Sequence, residues 1–318
     1  MTRVLIYFFF IFPVLAAAQG YPNRALHMIV PFAPGGASDF VGRILQPRMS
    51  ELLGQQVIVE NRGGAAGNIG VEAGARAAPD GYTFVLGNIG SIAINPAVFP
   101  NLSVTPTRDL LAVTQVVDVP SVLVAHPSFP PNNIKEVIAF AKANPGKTTY
   151  SSSGPGGSMH LAGALFEKET HTDLLHVPYK GGGPAIADLI AGHVDISFAT
   201  ILESSGHIKG GRLRALAVTS DKRYPTLPDV PPLSESGLRG FNTGSWIGLV
   251  APAGTPKDIV DKVARDVREI VNSPEVRDQF IAQGATPVGG TPAEFAALII
   301  RERERYAQII RERNITAE

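Results

Sequence analysis

Apolar residues along this chain switch repeatedly between two spacings. Short continuous runs such as Met28-Ile29-Val30 suit buried strands, and the set Val41, Ile44, Leu45, Met49 and Leu52 recurs at the period of a helix. The first such series predicts strand Leu26 to Val30, helix Phe40 to Leu53, strand Val57 to Glu60, helix Ile69 to Ala77 and strand Thr83 to Leu86. Strands alternating with helices imply a parallel sheet. A second series starts near Asn132: helix Ile134 to Ala143, strand Thr149 to Ser152, helix Ser158 to Glu169, strand Leu174 to Val177, helix Pro184 to Ala191 and strand Val194 to Phe198. Val113 to Ala125, broken at Asp118 and Pro120, and Leu213 to Thr219 read as strands crossing between the two units. Trp246 to Val250 and the helices Lys257 to Val271, Pro274 to Gln283 and Pro292 to Arg311 return to complete the first unit. Gly54 is placed to end the first helix, and Pro47 should kink or interrupt it.

Two α/β lobes joined by two strands, one inserted into the other, enclose a cleft. Ligands of open α/β sheets bind outside the carboxyl ends of the strands. The expected division is 1–18 a signal peptide, 19–122 with 222–318 the first lobe, and 123–221 the inserted second lobe. Loops facing the cleft are then Pro31 to Asp39, Asn61 to Gly67 and Gly87 to Ser91 from one side, and Ser152 to His160, Tyr179 to Pro184 and Ala199 to Glu203 from the other. In the first of these, Ser38 or Asp39 is placed as N-cap of the helix. Gly35 and Gly36 either serve turn geometry alone or let free helix amides approach an anion. Ser152 to His160 is a second Gly/Ser loop entering a helix, and Gly181 to Gly183 offer three more amides ahead of Pro184. Lys180 is either a solvated loop lysine or a charge for an acidic ligand.

Met1 to Gly20 changes the setting. One early cation, Arg3, precedes the apolar run Val4 to Leu15 and the small residues Ala16 to Ala18, the pattern of a cleavable secretory leader cut after Ala18. The run is short for a bilayer span, which takes about 20 residues. The chain has no cysteine, so disulfides, thiolate metal sites and a lipid-modified cysteine are excluded. Lys+Arg and Asp+Glu are equal at 28 each, which argues against a nucleic-acid partner.

Reactive constellations are weak. Ser158 and His160 are the nearest hint of a hydrolase, but the segment lacks G-x-S-x-G, and residues two apart on a helix do not face each other. Seven scattered histidines give no metal-binding spacing. Pro145-Gly146-Lys147-Thr148 imitates a P-loop but has Ala141 where its first glycine belongs, and Gly63 to Gly70 does not match G-x-G-x-x-G. Arg301 to Arg305 alternates charge, as a solvated helix face does. No catalytic residue, metal or cofactor is expected.

A series of ordered motifs resembles one family along essentially the whole mature chain. They are Tyr21-Pro22, Ile29 to Gly36 with Asp39 and Arg43, Val59 to Arg62, Pro79 to Thr83, Asn95-Pro96, His160 to Gly163, Val177 to Gly181, Pro184-Ala185, Asp188-Leu189 and Pro252 to Pro256. They resemble the Bug-type extracytoplasmic receptors of tripartite tricarboxylate transporters. Gly63, where proline is usual, and Pro47 depart from that pattern. The resemblance implies a type II periplasmic binding protein fold that closes on a carboxylated solute. Pro34 to Asp39 would hold one carboxylate, Ser152 to Ser158 and Gly181 to Ala185 would hold the rest, and Gly87 to Ser91 would line the pocket. The candidate ligand residues are Phe32, Pro34, Gly35, Gly36, Ala37, Ser38, Asp39, Asn88, Ser91, Ser152, Ser153, Gly154, Ser158, His160, Tyr179, Gly181, Pro184, Ala185 and Thr200. Side chains expected to set specificity include Ala37, Asn88, Ile89, Met159, Thr200 and Ile201. The implied partners are a small carboxylate and membrane permease subunits, with the receptor itself a periplasmic monomer. A sensor of the same fold feeding a signalling partner is the alternative, and a Ser158/His160 hydrolase the third reading.

Overall fold

A computed structural model describes residues 20–316. The leader expected over residues 1–18 lies outside the described residues. The chain runs β1 (Leu26–Val30), α1 (Ala37–Leu53), β2 (Val57–Asn61), α2 (Asn68–Ala75), β3 (Thr83–Asn88), the one-turn helices α3 (Asn95–Val98) and α4 (Pro106–Asp109), and the long β4 (Leu110–Ala125). Then follow α5 (Ile134–Ala143), β5 (Thr149–Ser152), α6 (Ser158–Thr170), β6 (Leu175–Pro178), α7 (Gly182–Ile190), β7 (Ile196–Thr200), α8 (Ile201–Lys209) and β8 (Arg214–Val218). The last part is β9 (Gly244–Pro252), α9 (Lys257–Asn272), α10 (Pro274–Ala282), β10 (Thr286–Pro287) and α11 (Pro292–Arg313).

The strands form one continuous sheet in the order β2-β1-β3-β9-β4-β7-β5-β6. The βαβ units pair in parallel, β1 with β2 and β3, and β5 with β6 and β7, while β4 and β9 are antiparallel to their neighbours. Alternation along each strand decides which face a side chain enters. Met28 and Val30 join a core built with α1, α9 and α10, whereas Ile29 between them packs with α2 and α11. At the other end of the sheet, Val137, Phe166 and Phe198 fill one face, and Ile186, Leu189 and Ile201 fill the opposite one. Each such large apolar side chain, taken wholly out of water, contributes about 1.5–3 kcal/mol. The result is the expected α/β architecture of two lobes on one mixed sheet.

β4 is the first crossing. It pairs with β9 from Leu110 to Pro120 and with β7 and β8 from Ser121 onward. The sequence suggested a break at Asp118 and Pro120, but the strand runs through both. Pro120 sits where the partners change, so its missing N–H interrupts no long ladder. The second crossing is split. β8 and β9 lie end to end along the same edge of β4, and residues 219–243 leave the sheet between them. Thr219 closes the base of that excursion, donating its N–H to Ser121 O and its hydroxyl to Thr243 O. Within it, Leu233 and Phe241 pack into the core with Leu123 and Phe198.

Three helix starts differ from expectation, that of α2 by one residue only. α1 begins at Ala37 with Gly36 as N-cap, instead of Ser38 or Asp39, because Asp39 reaches back from the first turn to the amide of Gly35. α7 begins at Gly182, which places Pro184 third in the first turn, where an N–H has no helical partner to lose. α1 continues through Pro47 to Leu53.

Candidate functional site

Four helices start at one place. α1, α6, α7 and α8 each follow a strand of a parallel pair, so their N-termini gather at the carboxyl ends of β1, β5, β6 and β7. There they meet across the gap between the lobes. A cavity of ≈ 20 Å³, enough for about one water, is walled by Phe32, Gly36, Ala37, Ser38, Asn88, Ser153, Ser158, Met159, Gly182, Thr200, Glu203 and Ser245. Gly36, Gly157 and Gly181, the N-caps of α1, α6 and α7, supply no side-chain hydrogen bond, and a glycine there leaves first-turn amides open to an outside acceptor. α8 differs, since Thr200 and Glu203 form a reciprocal capping box.

The lobes are shut around this point. Ala33 donates its N–H to Lys180 O at 3.0 Å, and Ala37 donates its N–H to Glu203 Oε2 at 3.2 Å. Glycines make the approach possible. A Cβ on Gly183 would lie 2.2 Å from the Pro34 carbonyl oxygen, and one on Gly154 3.2 Å from the Ala66 Cα. Lys180 contributes its backbone carbonyl, while the residue as a whole is exposed.

Of the sequence-derived candidates, Phe32, Gly36, Ala37, Ser38, Asn88, Ser153, Ser158 and Thr200 share the cavity wall. The others stand behind it or beside it. The Asp39 carboxylate, almost fully buried, accepts from Gly35 N, Arg43 Nε and Asn61 Nδ2, so it holds the loop in shape. Burial works against its charge, but the hydrogen bonds from Arg43, Gly35 and Asn61 outweigh it and keep the carboxyl below the usual range. Pro34 and Gly35 form the turn packed against Gly183, and Ser91 exchanges hydrogen bonds with Asn88. Ser152 pairs with His176 Nε2 at 2.6 Å, Gly154 faces Ala66, and the Tyr179 hydroxyl donates to Asp188. Gly181 is the N-cap of α7, Pro184 lies in its first turn, and Ala185 is buried in the core.

His160 is also turned inward. Its Nδ1 accepts the Gly156 N–H at 3.0 Å, and its ring stacks on His176 with centroids 4.2 Å apart. Burial lowers the His160 pKa to about 4, and burial with the neighbouring ring lowers that of His176 to about 3. A ring nitrogen engaged by Gly156 is not aimed at Ser158, so the Ser158/His160 pair lacks the geometry of a nucleophile and base. Ser152 and His176 do touch, but none of the hydrogen bonds or ion pairs described gives His176 an acid to orient it.

Ser245 was missed by sequence reasoning, while Gly182 and Glu203 lay inside the loops expected at the cleft without being singled out. Glu203 matters most. It is the only ionisable residue on the wall, half-buried as a residue, with a carboxyl group enclosed by protein. Burial pushes its carboxyl upward against the hydrogen bonds from Thr200 and Ala37. The available signal was its position three after Thr200, which reads as a helix cap and nothing more.

Comparison with known proteins gives a consistent picture. Residues 41–315 match the family described as Tripartite tricarboxylate transporter family receptor. The chain is 38% identical over 297 residues to Protein BugT of Bordetella pertussis, covering 93% of this chain and 91% of that protein. The solved structure of the periplasmic binding protein BugD superposes with a TM-score of 0.90 at 37% identity, covering 94% of this chain and all of the other. That of Rpa4515 from R. palustris, solved with adipate, superposes with a TM-score of 0.90 at 32% identity over 93% of this chain and 99% of the other.

Proposed function

We propose, on the premise that this chain belongs to the tripartite tricarboxylate transporter receptor family, that it captures a small carboxylate between its lobes in the periplasm and delivers it to the membrane subunits of such a transporter. One observation carries the reading. Three helix N-termini whose own N-cap residues supply no side-chain bond, drawn from both lobes, converge on one cavity, where Glu203 of the facing lobe meets the first amide of α1. Open amides and helix dipoles favour an anion, and a ligand touching both lobes favours the shut state by its differential affinity for it. BugD is a periplasmic binding protein and Rpa4515 holds adipate, which supports both compartment and ligand class. No chemical step is required of the protein.

The test is calorimetry and thermal shift on protein stripped of co-purified solute, across dicarboxylates, tricarboxylates, acidic amino acids and aromatic acids. Saturable binding of at least one carboxylate, with no turnover, is expected. A folded protein that binds none of them overturns the reading.

A further inference from the structure

The anion position at the start of α1 is already taken. Glu203, reaching from α8 on the facing lobe, accepts the Ala37 N–H at Oε2 and the Thr200 N–H at Oε1. Its place is built into the fold. A Cβ on Gly182 would lie 2.1 Å from Glu203 Oε2, so the glycine at the start of α7 is what leaves room for the carboxylate. A carboxylate offers about four acceptor sites, and the two N–H groups together with the Thr200 hydroxyl leave one of them unfilled. Beside it the Ser38 hydroxyl, 3% exposed and also on the wall, has no hydrogen-bond partner in the protein. No basic side chain lines the cavity to balance Glu203.

We infer that Glu203 is a specificity-determining residue, selecting solutes that carry an ammonium or other N–H group next to their carboxylate and discriminating against plain diacids. This rests on the cavity being the solute site. A carboxylate placed beside Glu203 sets two like charges in one small cavity, whereas an N–H group fills the unsatisfied acceptor site. The solute's own carboxylate then turns to the uncapped start of α6, where Ser153 and Ser158 stand.

Matched pairs test this on the unaltered protein: succinate against aspartate, glutarate against glutamate, and adipate against 2-aminoadipate, by calorimetry on stripped protein. In each pair that binds, the amino member is expected to bind at least tenfold tighter, and Glu203→Gln, which gives up one of the two backbone bonds but still unfolds in one transition, to shrink that preference severalfold. Plain diacids binding as tightly as their amino partners overturns the inference and leaves the receptor reading standing. An unchanged preference in a folded Glu203→Gln overturns it as well. Failure of all six to bind, together with every other carboxylate, overturns the receptor reading instead. The wild-type comparison decides the matter even where the variant does not fold.

Discussion

Gly35 and Gly36 are adjacent and chemically identical, yet they are glycines for different reasons. Gly35 has φ +85°, in the left-handed region that costs other residues about 1–2 kcal/mol. Gly36 has φ −88° and ψ 175°, which any residue adopts, but a Cβ there would sit 3.2 Å from Gly183 N on the other lobe. Gly35→Ala should therefore lower unfolding stability by about 1–2 kcal/mol. Gly36→Ala should leave denaturant midpoints nearly unchanged and weaken carboxylate binding severalfold. Equal effects of the two on stability would remove the distinction. The sequence left both glycines open between turn and ligand, because a backbone angle and a contact across a cleft are both tertiary facts. Glu203 was hidden for the same reason: in Thr200-Ile201-Leu202-Glu203 it satisfies a local cap, and only the closed cleft brings Ala37 to it.

At the scale of elements, β5, α6 and β6 bring Tyr150, His160 and His176 into one stack. Both imidazoles are neutral in the fold well below their ordinary value of 6.5. Between that value and about 4 and 3, the unfolded chain binds protons that the folded one does not, so stability rises with pH across this window and is lost as pH falls. Asp118, pushed up to about 6 by burial, works the other way in the same window, so the stack is read from a difference: in denaturant titrations at pH 7, 5.5 and 4.5 the wild type should lose more stability than His160→Gln as pH falls, and equal losses would contradict the buried neutral stack. The strands and helices themselves were largely legible. Leu26–Val30, Ile134–Ala143 and Thr149–Ser152 have the bounds that apolar spacing predicts, since their burial follows a simple period. What spacing missed was set by partners: β4 continues through Pro120 because its neighbours change there, and α1 starts early because Asp39 caps backward.

For the whole molecule, the two lobes are joined by the strands that cross at Pro120–Ser121 and at Thr219 with Thr243, and they also touch through the Ala33–Lys180 backbone pair, through Glu203 at Ala37, and through Ser205 with Gln283 and Glu169 with Arg313. Closing is then a rotation about the crossing strands, with glycines where the Pro34 to Gly36 turn approaches the start of α7. Gly183 is the most sensitive point, because a Cβ there would lie 2.2 Å from the Pro34 carbonyl oxygen and 3.0 Å from the Gly35 carbonyl carbon, and neither backbone atom can yield as a flexible side-chain end would. Its conformation is ordinary for a helix first turn, so alanine adds no local strain. Gly183→Ala should hold the lobes apart while each keeps its own core. Small-angle scattering with a saturating carboxylate should show the wild type contracting and the variant keeping its unliganded radius, with affinity reduced at least tenfold and unfolding little changed. A variant that contracts like the wild type would mean that the contact between Pro34 and Gly183 does not limit closure, and that the crossing strands set how far the lobes approach.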